Sequence, residues 1–212
     1  MTTLIVGASA SGQSTFLEIC RALAKNVGLV EPDVVFTSQD RAWAEAIQFA
    51  NEQGRELLRR ADWGALLEAG TVVGSGADVR LDLPADFERI AKGIAVTHSS
   101  GNVRPLSRAE WGALTPVEGS PRYFLLEEDK LRFWPYLATG DSVSVNYISA
   151  NWCSSGAQLA TDADTVVFDA GLFTLGLIVR WRRQKGMDYA DFEAEYEAAL
   201  ADFAQFDDRA RF

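Results

Sequence analysis

Few residues here could do chemistry, and each stands in an incomplete motif. Gly7-Ala8-Ser9-Ala10-Ser11-Gly12-Gln13-Ser14 approaches a phosphate-binding loop. A working loop of that kind follows a strand and carries Lys before its Ser or Thr, to neutralise the phosphates. Gln13 stands where the lysine belongs, and at most Leu4-Ile5-Val6 precedes as strand. No βα alternation follows to build the parallel sheet on which such loops sit. A nucleotide-binding enzyme using the Gly7–Ser14 loop is one alternative; the other is an arm ahead of a capped helix.

His98 is the only histidine, flanked by Thr97, Ser99, Ser100 and Gly101. That setting reads as a surface loop tip, and one histidine makes a poor start for a zinc site. Asp162 and Asp164, with Asp207 and Asp208, could offer oxygens to a hard cation, but calcium loops need more of them at fixed spacing. Asp164 or Thr165 reads better as the N-cap of a helix starting at Val166. Glu127-Glu128-Asp129 reads as a solvated turn rather than the carboxylate pair of a glycosidase cleft. No catalytic residue, metal or cofactor is expected.

The elements that hold these residues are helical at both ends. Thr15 or Ser14 with Glu18 makes a capping signal before Phe16, Ile19, Cys20, Leu23 and Val27, and Gly28 closes that helix. A second helix is expected from about Ser38 to Arg60, with Trp43, Ile47, Ala50, Gly54 and Leu57 on one face. An apolar run from Val166 ends on Arg180, Arg182, Arg183 and Lys185, then Gly186, a helix stop. Tyr189, Phe192, Tyr196, Leu200 and Phe203 then repeat at threes and fours after Asp188. The uncharged stretch Ala170–Val179 is about half the roughly 20 residues a bilayer needs, so no membrane partner is expected.

Between these pairs the texture is β. Short strands are expected at Thr71–Val73, Leu81–Leu83 and Ile94–Thr97, a hairpin over Arg122–Trp134, and a half-exposed strand over Ser142–Ile148. Ser107 and Glu110 form a second capping box, putting Trp111 and Leu114 on a short helix. The expected fold is α+β: an antiparallel helical bundle built from N- and C-terminal helical hairpins, with an inserted antiparallel β lobe. Its parts are a flexible N-terminal arm (1–13), the bundle (14–66 and 160–203), the β-rich insertion (67–159) and a C-terminal tail (204–212).

At 212 residues the chain can bury a sizeable core without staples. Two cysteines make no disulfide framework. Ala8-Ser9-Ala10 mimics a signal cleavage site, but only Leu4, Ile5 and Val6 precede it as apolar core, with no Lys or Arg. A net charge of −10 disfavours sequence-driven DNA binding, because an acidic surface repels phosphate. The tail holds Phe206, Arg209, Arg211 and Phe212, residue types that dominate interfaces. It is either a frayed end or a docking peptide.

In order along the chain, Phe16–Leu23, Asn51–Leu57 running to Asp62-Trp63, Leu83–Phe87, Pro121-Arg122-Tyr123, Tyr147–Trp152, Asp162–Thr165 and Leu175–Arg182 resemble the head-to-tail adaptors, or connectors, of tailed bacteriophages. The resemblance implies a structural virion protein at the head–tail junction, not an enzyme. It implies a ring of copies, usually twelve-fold, bound beneath the portal protein. Such a ring extends the channel for passing genomic DNA and gives tail, nozzle or neck proteins a platform. It also implies that the C-terminal segment, with Phe206, Arg209, Arg211 and Phe212, reaches the portal. Residues 1–13 depart from the family's pattern. Another neck or tail-terminator subunit is the neighbouring reading.

Overall fold

The structure, a computed structural model, describes residues 14–93 and 95–209, with backbone alone over 206–209. It is α+β. The helices are α1 (Phe16–Val27), α2 (Arg41–Arg60), α3 (Arg108–Trp111), α4 (Ala170–Gln184) and α5 (Ala190–Arg209). The strands are β1 (Leu67–Val73), β2 (Leu81–Asp82), β3 (Phe87–Ile90), β4 (Val96–His98), β5 (Gly101–Asn102), β6 (Arg104–Pro105), β7 (Tyr123–Glu127), β8 (Lys130–Trp134) and β9 (Ser142–Ser149). Two compact units result: Leu67–Ala150, and a helical unit from the chain on either side. Residues 151–159, expected in the insertion, group with the helices.

In the helical unit, Thr15 and Glu18 form a reciprocal capping box at the start of α1, and Gly28, at φ 76°, ends it. A left-handed φ costs glycine nothing. α2 begins at Arg41 because the Asp40 carboxylate accepts the Ala42 N–H, at 2.9 Å. Its buried face is Trp43, Ala46, Ala50, Gln53 and Leu57, with Gly54 and Leu58.

α4 does not start at Val166. Val166 pairs with Cys153 in a β-bridge, and the helix begins at Ala170, where the Asp169 carboxylate accepts the Leu172 N–H. Val166 and Val167 are β-branched and suit extended backbone; Asp169 is the first acid on which the following N–H groups can close. α4 is buried nearly all round and packs on α1, α2 and α5. α1 and α2 each meet α4 more extensively than they meet one another. Glu45 contacts Lys185, Phe49 contacts Trp181, and Gln53 contacts Arg180, so α2 and α4 run in opposite directions. Beside them Trp152, fully buried, stacks on Phe168 and Phe173, and Trp63 meets Phe168 edge-on. α5 starts after Asp188, whose carboxylate accepts the Ala190 N–H, and continues through Arg209. Residues 204–209 therefore extend a helix and are not a separate tail.

In the β-rich unit one sheet has the order β1-β9-β4-β5, with β3 also on β9; the other is β2-β8-β7-β6. β9 pairs with β1 along seven residues, while β3 and β4 share its other edge. This partnership lengthens β1 to seven residues where its own β-branched triplet, Thr71-Val72-Val73, signals three. It also makes β9 a shared strand: the expected half-exposed alternation holds from Ser142 to Asn146, and from Tyr147 to Ser149 the strand is buried on both faces. β7 and β8 form the expected hairpin, turning at Glu128 with φ 60°. Val96, Val143 and Val145 from one sheet pack with Phe124, Leu131 and Phe133 from the other. α3 is a single turn under the Ser107–Glu110 capping box, and Leu114 lies beyond it.

Candidate docking surfaces

His98, Asp162, Asp164 and Glu127, singled out for chemistry, turn out to hold the fold together. His98 is not a surface loop residue: it lies on β4 with its side chain 4% exposed. Its Nδ1 accepts the Ser100 N–H at 3.2 Å, so Nε2 carries the proton and donates to the Asp141 carboxylate at 3.0 Å. Ser100 Oγ lies 2.7 Å from Nδ1. Ser, His and Asp are thus assembled, but the ring nitrogen that a hydrolase would use as base is occupied by a backbone donor. The trio ties the β4–β5 turn to the start of β9. The His98 bond, aided by the Ser142 N–H, holds the Asp141 carboxyl below its ordinary pKa.

Asp162 and Asp164 are fully engaged by donors of their own chain. Asp162 accepts the Val35 and Phe36 N–H groups, and Asp164 accepts the Ser154, Ser155 and Thr161 hydroxyls with the Ala160 and Thr161 N–H groups. Asp164 is therefore the hub of a loop, not a helix cap. Burial alone pushes its carboxyl up; the Ser155 hydroxyl and the Ala160 and Thr161 donors outweigh that and bring it to about 2. Glu127 is likewise not solvated. Its side chain is 8% exposed and pairs with Arg80 at 2.8 Å and Arg108 at 3.5 Å, while Glu128 and Asp129 stand exposed in the turn, as expected.

The Gly7–Ser14 loop lies outside the described residues except for Ser14. So do Arg211, Phe212 and the side chains of Phe206 and Arg209. The backbone carries Phe206 and Arg209 three positions apart at the end of α5.

Two features are more developed than any of these. The first is a polar seam joining α2, α4 and α5. Gln53, 1% exposed, donates from Nε2 to the Tyr196 hydroxyl at 2.8 Å, and its Oε1 accepts from Arg180 Nε at 2.8 Å. Arg180 also pairs with Glu52, at 3.4 Å, and with Glu56. Arg60 spans Glu56 and Glu197, at 3.0 and 2.7 Å. A Cβ on Gly176 would lie 2.1 Å from Gln53 Nε2, so the absence of a side chain there is what lets α4 approach. A polar residue at a core position of α2, between Ala50 and Leu57, was the available signal. The neighbouring Gly54 satisfied the same periodicity and masked it.

The second is a groove of about 480 Å³ between α1, α4 and α5. Ile19, Ala22, Leu175, Ile178 and Phe203 give it apolar walls, with Ser14 and Asp169 also lining it. Most of its polar lining is committed elsewhere. Glu18 and Asp169 cap helices, Asn26 donates to the Ala22 carbonyl at 2.8 Å, and Thr174 donates to the Ala170 carbonyl at 2.7 Å. The groove therefore offers mainly apolar surface.

Charge is unevenly spread. α5 carries Asp191, Glu193, Glu195, Glu197, Asp202, Asp207 and Asp208 against Arg209 alone, seven acids to one base, within a chain of net charge −10. Cations gather where α4 gives way to α5. Arg182 lies 4.4 Å from the Phe192 ring and Arg183 4.9 Å from the Tyr189 ring, contacts that fix the junction. Among the described residues no helix is long and apolar enough to cross a membrane.

A search of curated proteins finds no match. A protein-family model described as SU10 adaptor protein matches residues 14–212. That match takes in both compact units and leaves out only the stretch ahead of Ser14, so the chain belongs to the SU10 adaptor protein family of phage structural adaptors.

Proposed function

We propose that this protein forms a ring beneath the portal of a DNA-filled phage head, extends the DNA channel, and carries the platform on which tail, nozzle or neck proteins dock. Family membership over residues 14–212 is the observation that carries this reading. The N- and C-terminal helices, as an antiparallel bundle, form the body of each subunit, and the ring is twelve-fold, as the resemblance implies. The acid surplus on α5 supports a channel role: repeated around a ring, it opposes counterion-release binding to DNA and lets the duplex pass without sticking. Phe206, Arg209, Arg211 and Phe212 meet the portal, with the first two delivered on the end of a helix rather than on a loose peptide.

Mixing the protein with purified portal, followed by light scattering and particle imaging, tests the reading. The expected result is a ring of copies on the portal. A chain that stays monomeric and never binds portal overturns it. Deleting residues 206–212 leaves the buried Tyr196 and Leu200 in place, so the fold should persist while portal attachment is lost. A truncated protein that assembles normally removes the C-terminal end from the interface.

A further inference from the structure

Two arginines on α2 carry charge that the chain does not answer. Arg55 and Arg59 are exposed, and neither side chain has a hydrogen bond or ion pair among the described residues. They stand one turn apart, about 6 Å along the helix axis. The acids beside them are taken: Glu52 and Glu56 pair with Arg180, and Glu56 also with Arg60.

The groove between α1, α4 and α5 has the opposite surplus. Glu195 lines it, is exposed, and has no partner among the described residues. Glu18 and Asp169 line it too. Each uses one oxygen on a helix cap, Glu18 Oε2 on the Thr15 N–H and Asp169 Oδ1 on the Leu172 N–H, and the second oxygen has no bond among the described residues. Three carboxylates therefore meet in a lining that holds no Lys or Arg.

We propose that the Arg55–Arg59 turn of one copy docks in the α1–α4–α5 groove of a second copy, with the guanidinium groups on Glu195 and on the open oxygens of Glu18 and Asp169. Arginine suits this mixed lining. Its planar fork of donors matches a carboxylate, and its aliphatic stem covers apolar surface such as Ile19, Leu175 and the 39%-exposed Phe203. A wholly apolar occupant would leave Glu195 covered and unpaired, at a cost that a cationic one avoids.

The two surfaces do not face each other within one chain. Arg60, next to Arg59, reaches Glu197. Glu195 and Glu197 are two residues apart, about 200° round the helix, so they leave α5 on nearly opposite sides. Patch and groove accordingly share no lining residue. A contact between two unlike surfaces is head-to-tail, and it closes into a ring when its rotation allows. This contact rests on the ring proposed above and names the surfaces that hold neighbouring subunits together. Asp191 and Asp202 of α5 lie outside the groove's lining, so the docking leaves them free.

The test assembles the full chain on purified portal and counts rings by particle imaging. R55E/R59E and E195R should each lower the fraction of portals carrying a ring by about tenfold or more, with unchanged circular dichroism, since none of these side chains has a partner to lose. The two variants move net charge in opposite directions, so a shared loss is not an effect of net charge. Separately, R55K/R59K should still assemble. A carbodiimide should then join a lysine introduced at 55 or 59 to Glu195 of a neighbouring copy, identified by mass spectrometry on mixed isotope-labelled and unlabelled chains. Normal rings from R55E/R59E or from E195R, while the natural chain also forms them, overturn this contact and leave the ring reading standing. Rings that form normally from either variant but no longer seat on the portal assign the mutated surface to the portal and overturn it too. A lysine cross-linked between chains only to acids outside the groove does the same. If the natural chain forms no ring on the portal, the ring reading falls and this contact with it.

Discussion

Replacing Gly176 by Ala should destabilise the helical unit, although Ala is the better helix former. The substitution gains about 1 kcal/mol of helix propensity. Against that, the new Cβ would stand 2.1 Å from Nε2, 2.3 Å from Cδ and 2.6 Å from Oε1 of Gln53. The amide must move, and it is held at both ends, by Tyr196 and by Arg180. The Tyr196 bond is worth about 1 kcal/mol, and the bond to the Arg180 guanidinium about 1.5–3 kcal/mol. Tyr196 is only 4% exposed, and a hydroxyl left unpaired there costs about 1–3 kcal/mol more. After partial rearrangement the net loss should be about 2–4 kcal/mol. At roughly 2–4 °C per kcal/mol for a chain of this size, the melting temperature falls by about 4–16 °C. Urea titration followed by circular dichroism measures it. The decisive arm is a double-mutant cycle with Q53A. Once the amide is gone, the added methyl fits the vacated space, so Gly176→Ala should become neutral or gain up to about 1 kcal/mol of propensity. If Gly176→Ala costs as much in the Q53A background as in the natural chain, the clash is not with Gln53 and the account of the seam is wrong.

Other outcomes follow from the same packing. Gly54→Ala should lower the urea midpoint, because its Cβ would meet the buried Trp152 ring at 2.5 Å; overpacking by about 1–3 kcal/mol outweighs a propensity gain of about 1. For Asp164 the folded pKa, about 2, lies below its ordinary 3.8. Its contribution, on the order of 2 kcal/mol, is therefore complete above pH 4 and is lost as pH falls from 4 through 2. Asp164→Asn should flatten that stretch of the stability profile, and an unchanged slope between pH 4 and 2 would count against the hub. Cys20 and Cys153 should react with Ellman's reagent only after denaturation, since burial raises both thiols. Prompt reaction of the native chain would contradict the packing around α1.

Signals confined to a few residues could be read directly from the sequence. Thr15 with Glu18, and Ser107 with Glu110, are capping boxes in both sequence and structure, and the hairpin follows from two short apolar runs on either side of the acidic tip Glu127-Glu128-Asp129. What escaped depends on partners far along the chain. His98 reads as a loop tip until Asp141, 43 residues on, closes on it. Gln53 is one polar residue among many until Arg180 and Tyr196, 127 and 143 residues away, converge on its amide. β1 more than doubles its apparent length because β9 supplies the ladder, a tertiary effect that local propensity does not carry. The start of α4 differs for the opposite reason. Val166-Val167-Phe168 is as apolar as a helix core, and hydrophobicity alone does not distinguish a buried extended segment from a buried helical one. The docking surfaces were legible only as residue types, Phe and Arg near the end, because a groove is a property of three helices at once.

The pairing of Leu67 with Ile148 carries a consequence for how such proteins diversify. The polypeptide enters the insertion on β1 and returns on the adjacent β9, so its entry and exit points lie about 5 Å apart. A piece of gene coding for everything beyond that doorway can be lengthened, trimmed or exchanged for another while the helices keep their connection. Linking Glu68 to Tyr147, which face each other in the ladder, through a two-residue turn mimics such an exchange. The shortened chain should keep the helical circular dichroism and a cooperative melt; a molten product would mean that the lobe is structurally indispensable to the rest.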